Sequence, residues 1–119
     1  MPSALPLLAD APPACCAPLG SPHAMSEQEA VDLAVRLKAL ADPVRLRLLD
    51  HLLDQPAHED CTCTLAPVVG LTEPTVSHHL KKLEAVGILT KERRGMSVYY
   101  RVVPEAIHAL AKAIHVDCC

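Results

Sequence analysis

The 119-residue chain has no tryptophan and no phenylalanine; Tyr99 and Tyr100 are its only aromatic residues. Its core must be aliphatic. Glycine is scarce, at four residues, and none sits in a glycine-rich loop of the kind that cradles a nucleotide. No Cys-x-x-Cys occurs, so nothing points to a thiol redox catalyst, and catalysis as a whole finds no motif. No apolar run reaches membrane-spanning length. The first residues lack the basic start of a signal peptide, and prolines break their apolar stretch. These absences imply a cytoplasmic, reducing setting. There, six cysteines suggest metal or redox chemistry rather than a disulfide framework. They fall as close pairs: Cys15 with Cys16, Cys61 with Cys63, Cys118 with Cys119.

Pro2, Pro6, Pro12, Pro13, Pro18 and Pro22 mark residues 1–25 as a flexible arm carrying the first cysteine pair. Met25 is an alternative start that would delete that pair. Residues 26–119 form one domain, small enough to gain by dimerising, because association buries apolar surface that a monomer leaves wet.

Ser26-Glu27-Gln28-Glu29 is a capping box, and Ala30, Leu33, Ala34, Leu37 and Leu40 follow it at helical spacing. Asp42-Pro43 opens a second helix, with Leu46, Leu49, Leu52 and Leu53 as its apolar face and Gln55-Pro56 as its end. A third short helix lies within 62–69. Proline is tolerated in a first turn, so Pro67 places Cys61 and Cys63 at or just before that helix start. Gly70 ends it, Thr72-Glu73-Pro74 begins a helix over 73–86, and Gly87 closes that one. Residues 88–92 and 97–102 read as strands around an Arg93-Arg94-Gly95-Met96 turn. Pro104 opens a last helix, with Ile107, Leu110, Ala111 and Ile114 on one face. The order predicts a mainly α fold with a β-hairpin wing: a winged helix-turn-helix.

The net charge of −3 conceals an asymmetry. Residues 72–101 hold six basic residues (Lys81, Lys82, Lys91, Arg93, Arg94, Arg101) against three acidic ones (Glu73, Glu84, Glu92), which makes them +3 and the remainder −6. A basic face on an acidic body suits a local anionic partner. At about 100° per residue, Val76, Leu80 and Leu83 cluster on one side of the 73–86 helix. The opposite side presents Thr75, His78, Lys81 and Lys82, with Ser77 at the edge, Thr72 at the start, and His79 leaning inward. Hydroxyls and an imidazole suit base edges in the major groove of double-stranded DNA, and lysines suit phosphates. Arg93 and Arg94 at the hairpin tip are placed for a phosphate or the minor groove.

The stretch Leu37-Lys-Ala-Leu-Ala-Asp-Pro-Val-Arg-Leu-Arg-Leu-Leu49 resembles the signature of the ArsR/SmtB family of metal-sensing repressors. So does Leu71-Thr-Glu-Pro-Thr-Val-Ser-His-His-Leu-Lys-Lys-Leu83, followed by Gly87-Ile-Leu and Gly95-Met-Ser-Val-Tyr-Tyr-Arg101. The likeness runs without interruption over residues 30–103. It implies a homodimer built from the first and last helices, and repression at operator DNA that an inducer relieves.

Within that resemblance, Cys61-Thr62-Cys63 stands where thiolate-sensing members carry Cys-x-Cys. Soft thiolates favour As(III), Sb(III), Cd(II), Pb(II) or Zn(II) over hard ions. Some members recruit N-terminal cysteines, which gives Cys15 and Cys16 a role beside Cys61 and Cys63. The tight pairs favour As(III), which takes three thiolates. Cys118 and Cys119 are a second site or inert thiols. The family's zinc site along the last helix looks absent, since its first ligands fall on Pro104 and Ala106. His108 and His115 share a face but stand about 10 Å apart, too far to share an ion. A repressor sensing oxidation of a cysteine pair is the alternative with the same fold.

Overall fold

The structure, a computed structural model, describes residues 24–114. Cys15, Cys16, His115, Cys118 and Cys119 lie outside the described residues. The chain runs α1 (Glu27–Leu40), α2 (Pro43–Leu53), a 3-10 turn (Pro56–His58), β1 (Glu59–Cys61), α3 (Thr62–Val69), α4 (Glu73–Ala85), β2 (Leu89–Arg94), β3 (Ser97–Val102) and α5 (Pro104–Ala113).

Local chemistry sets the boundaries. Ser26 Oγ accepts from the Glu29 amide at 3.1 Å, and Glu29 accepts from the Ser26 amide at 2.9 Å, closing the predicted capping box. Asp42 caps α2 by accepting from the amides of Val44 and Arg45 at 2.9 and 3.2 Å. Gly70, at φ 69°, takes the left-handed position that ends α3 and leaves only Leu71 and Thr72 before α4 begins.

The inward face of α2 differs from the predicted one. Leu48, Leu49 and Leu52 are buried, whereas Leu46 is 51% and Leu53 38% exposed. The reason is Arg45, which lies in the inward stripe. Its guanidinium donates to the Ala39 carbonyl at 2.8 Å and to His79 Nδ1 at 3.2 Å. An inward arginine breaks the apolar pattern and rotates any stripe read from leucines alone. In α1, Ala39, Leu33 and Leu40 meet the core, while Ala30, Ala34 and Leu37 are exposed.

Pro67 sits inside α3, not in its first turn. Cys61 is the N-cap and Cys63 the second helical residue. The amide Pro67 lacks would have met the Cys63 carbonyl, so the missing bond falls in the first turn of α3.

The sheet has three antiparallel strands in the order β1-β3-β2, one more than the predicted hairpin. Three residues were too few for β1 to show a sequence pattern. β3 spans the predicted residues, while β2 begins one residue later and runs two residues further than predicted. Arg94 pairs with Ser97, so the loop is only Gly95-Met96, with Gly95 at φ 62° supplying the positive φ that a two-residue hairpin loop requires. Leu89, Tyr100 and Val102 face the core with Leu65, Val76, Leu80, Leu83 and Ile88.

Candidate nucleic-acid interface and cysteine site

Val76, Leu80 and Leu83 lock α4 into the core at zero exposure, which fixes its rotation. Thr75, His78, Lys81 and Lys82 are accordingly exposed, and Ser77 is half-buried. Thr72 does not cap the helix with its side chain; its hydroxyl meets that of Thr75 at 3.0 Å. The two histidines divide as the helical wheel predicts. His78 is exposed, while the His79 side chain is 16% exposed and sits between Arg45 and Asp42. Because Arg45 Nε–H donates to His79 Nδ1, that nitrogen carries no proton there, and the neutral ring is the Nε2–H form.

Strand alternation separates the hairpin arginines. Arg93 and Lys91 share the sheet face of Tyr100, with Lys91 opposite Tyr100 and Arg93 opposite Val98. Together with Ser77, Lys81 and Val98 they line a notch of about 260 Å³ between α4 and the wing. Burial pushes the Tyr100 phenol upward from its usual range, partly offset by a hydrogen bond with Ser77. Lys91 was missed by sequence reading, although its two-residue spacing from Arg93 places both on one face.

Arg94 faces the other way and is occupied. It donates to Glu59 through Nη1 at 2.6 Å and Nη2 at 3.0 Å, and to Glu92 through Nε at 2.9 Å. Its guanidinium stacks 4.4 Å from the Tyr99 ring centre. Arg101 also donates to Glu59, at 2.8 Å. Hydrogen bonds from Arg94 and then Arg101 hold the Glu59 carboxyl down at about 2. The same contacts push the Arg94 pKa upward. Arg93 has no ion-pair partner among the described residues.

On that second face, at the end of β1, lies Cys61. It is 4% exposed, pairs with Tyr99 in the strand register, and caps α3 through its sulfur, which accepts from the Thr64 amide at 3.3 Å. Cys63 is exposed. The two sulfurs are joined as a disulfide, with Cα atoms 5.2 Å apart. Reduction would leave two sulfurs side by side at the start of α3. Asp60 braces the site: Oδ1 accepts from the Cys61 amide at 2.8 Å, and Oδ2 lies 3.0 Å from His51 Nε2 on α2. Among the described residues, no three His, Cys, Asp or Glu side chains are grouped to hold a metal ion. No helix among them is long and apolar enough to cross a membrane.

A short helix, a tight turn, an amphipathic helix with a polar outer face and a basic hairpin together define a winged helix-turn-helix DNA-binding protein. Residues 42–91 match the model of the bacterial regulatory protein, arsR family. Across 93 residues the chain is 36% identical to a transcriptional repressor SmtB homolog of Synechocystis, a match covering 78% of this chain and 68% of the relative. It is 39% identical over 80 residues to an arsenic resistance transcriptional regulator of Pseudomonas putida, covering 65% and 61% of the two chains. The crystal structure of AntR, an antimony-specific transcriptional repressor, superposes with a TM-score of 0.65 at 32% identity, over 81% of this chain and 86% of that one. The chain belongs to the ArsR family of bacterial regulatory proteins, DNA-binding transcriptional regulators rather than enzymes.

Proposed function

We propose that this protein represses transcription by binding operator DNA as a homodimer and releases it when thiolates capture As(III). The carrying observation is the contiguity of Cys61 and Cys63 at the start of α3, the helix leading directly into α4. An ion held there acts on the helix-turn-helix itself. Two relatives point to the same ligand chemistry by name, one an arsenic regulator and one an antimony-specific repressor.

Thr75, Ser77, His78, Lys81 and Lys82 meet the major groove, with Thr72 at its edge. Arg93 and the added Lys91 hold phosphate. Arg94 shapes the wing. Cys61 and Cys63 provide two of the three thiolates that As(III) takes, and Cys15 or Cys16, from either protomer, supplies the rest. Cd(II), Pb(II) and Zn(II) remain the competing soft ions, with Sb(III) closest in chemistry to As(III). The dimer forms through α1 and α5, where Val31 and Val35 are about half exposed at 51% and 50%, beside an open groove lined by Leu33, Ala109 and Ala113.

Arsenite titration of the protein on labelled operator tests this. Wild type should dissociate, and Cys61→Ser/Cys63→Ser should stay bound. If the double variant dissociates at the same arsenite concentration, the sensing site is elsewhere. The Cys61–Cys63 disulfide favours a second reading, in which oxidation is the signal. Peroxide in place of arsenite separates the two.

A further inference from the structure

β1 is three residues long, and each residue is committed to a different neighbour. Cys61 carries the thiol chemistry and pairs in register with Tyr99. Asp60 ties the strand to α2 through His51. Glu59 pairs with Arg101 and grips both Arg101 and Arg94. Glu59 and Cys61 are two residues apart and so lie on one face of the sheet, about 7 Å apart along the strand. Arg94 returns to the cysteine end by stacking on Tyr99. The result is a closed circuit of Cys61, Tyr99, Arg94 and Glu59, joined by strand pairing, ring stacking and a two-nitrogen ion pair. Arg94 belongs to the last pair before the Gly95-Met96 loop, so its position sets the tip of the wing. A strand this short, pinned at Asp60, has little slack to absorb a displacement of Cys61 before it reaches Glu59.

We propose that Glu59 is the positioning residue through which the state of the Cys61–Cys63 pair sets the orientation of the β2–β3 wing. This rests on the thiol-sensing reading above and names how that site is regulated. Its carboxylate holds Arg94, and through Arg94 the hairpin tip, in step with β1. Arg93 and Lys91 ride on the opposite face of the same strand. Any rotation of the wing therefore moves them against the phosphates.

Full-length protein without DNA is compared by hydrogen exchange over residues 89–102 in three forms: reduced, reduced with arsenite, and Cys61–Cys63 disulfide. In wild type, exchange around the hairpin tip should differ between reduced and occupied or oxidised forms by about fivefold or more. In Glu59→Gln the difference should shrink below about twofold with arsenite stoichiometry unchanged, and Glu59→Asp should restore it. Operator release should follow the same order, from within the roughly 5–150-fold range of allosteric coupling in wild type towards none in Glu59→Gln. Arg94→Gln, which breaks the other half of the clamp, should behave as Glu59→Gln does and serves if that variant fails to fold. A wing that responds equally in wild type and both variants overturns the proposal. So does a wild-type wing indifferent to either thiol state. If arsenite is taken up without releasing DNA, the arsenite reading fails, and the reduced-against-disulfide comparison decides the role of Glu59 by the same criteria.

Discussion

Removing each hairpin arginine in turn should have unlike effects on the salt dependence of operator binding. Arg93 opens onto the notch beside α4 and has no ion-pair partner among the described residues, whereas Arg94 is spent on Glu59, Glu92 and Tyr99. Each phosphate contact contributes about 0.9 to the slope of log affinity against log salt, and the proposed homodimer presents every residue twice, so Arg93→Ala should flatten the slope by about 1.8. Between 50 and 200 mM salt, a fourfold change, a slope of that size corresponds to roughly 12-fold in affinity. The variant should therefore lose about 12-fold less of its binding over that interval than wild type. Arg94→Ala should keep the slope within about 0.3 of wild type, because an arginine already neutralised by two carboxylates displaces few counterions. Fluorescence anisotropy with labelled operator across the salt series measures both. Equal flattening by the two variants, or a larger effect at Arg94, would refute the assignment of the two faces.

His79→Ala should lower the melting temperature by roughly 4–8 °C through loss of the Arg45 bond, and His78→Ala should change it little; equal shifts in thermal denaturation would contradict the placement of the two rings. Leu48→Ala should cost about 2–5 kcal/mol in urea unfolding, against about 0.5 kcal/mol or less for Leu46→Ala, which separates the observed face of α2 from the one read from leucine spacing. The Asp42 carboxyl is held below its ordinary value chiefly by the Arg45 amide, and Glu59 is held at about 2 by Arg94 and Arg101. Both then bind more protons unfolded than folded, so their contribution is complete above about pH 5 and is lost as pH falls, for Glu59 towards about 2. Urea midpoints should decline over that interval in wild type, and less steeply in Glu59→Gln.

The helices were legible because each carries its own punctuation. Ser26, Asp42, Gly70 and Pro104 mark ends that the structure keeps, and the 3.6-residue period of Val76, Leu80 and Leu83 fixed which way α4 faces. Two of the errors concern residues whose partner is distant in sequence. Arg45 turns inward because His79 lies 34 residues away. Arg94 is withdrawn from the wing tip by Glu59, 35 residues earlier, in a strand too short to leave a periodic trace. For the outward face of α4, exposure follows from local period alone, and so Thr75, His78, Lys81 and Lys82 are exposed as the helical period predicts. The cysteine pair was legible as a pair from its spacing. What could not be read was that Cys61 is sealed and Cys63 open, a difference imposed by the turn from β1 into α3.

The lack of tryptophan gives the two tyrosines an analytical use. Tyr99 and Tyr100 are adjacent on β3 and therefore look in opposite directions, one towards Arg94 and the cysteine end of β1, the other towards Ser77 on α4. Ultraviolet emission from the unlabelled chain comes from these two rings and no others. Tyr99→Phe leaves a single tyrosine buried beneath the notch beside α4; Tyr100→Phe leaves one under the arginine stack. The molecule thus carries a built-in optical probe on each side of its wing, and the arrival of a ligand at either side can be followed without attaching a dye.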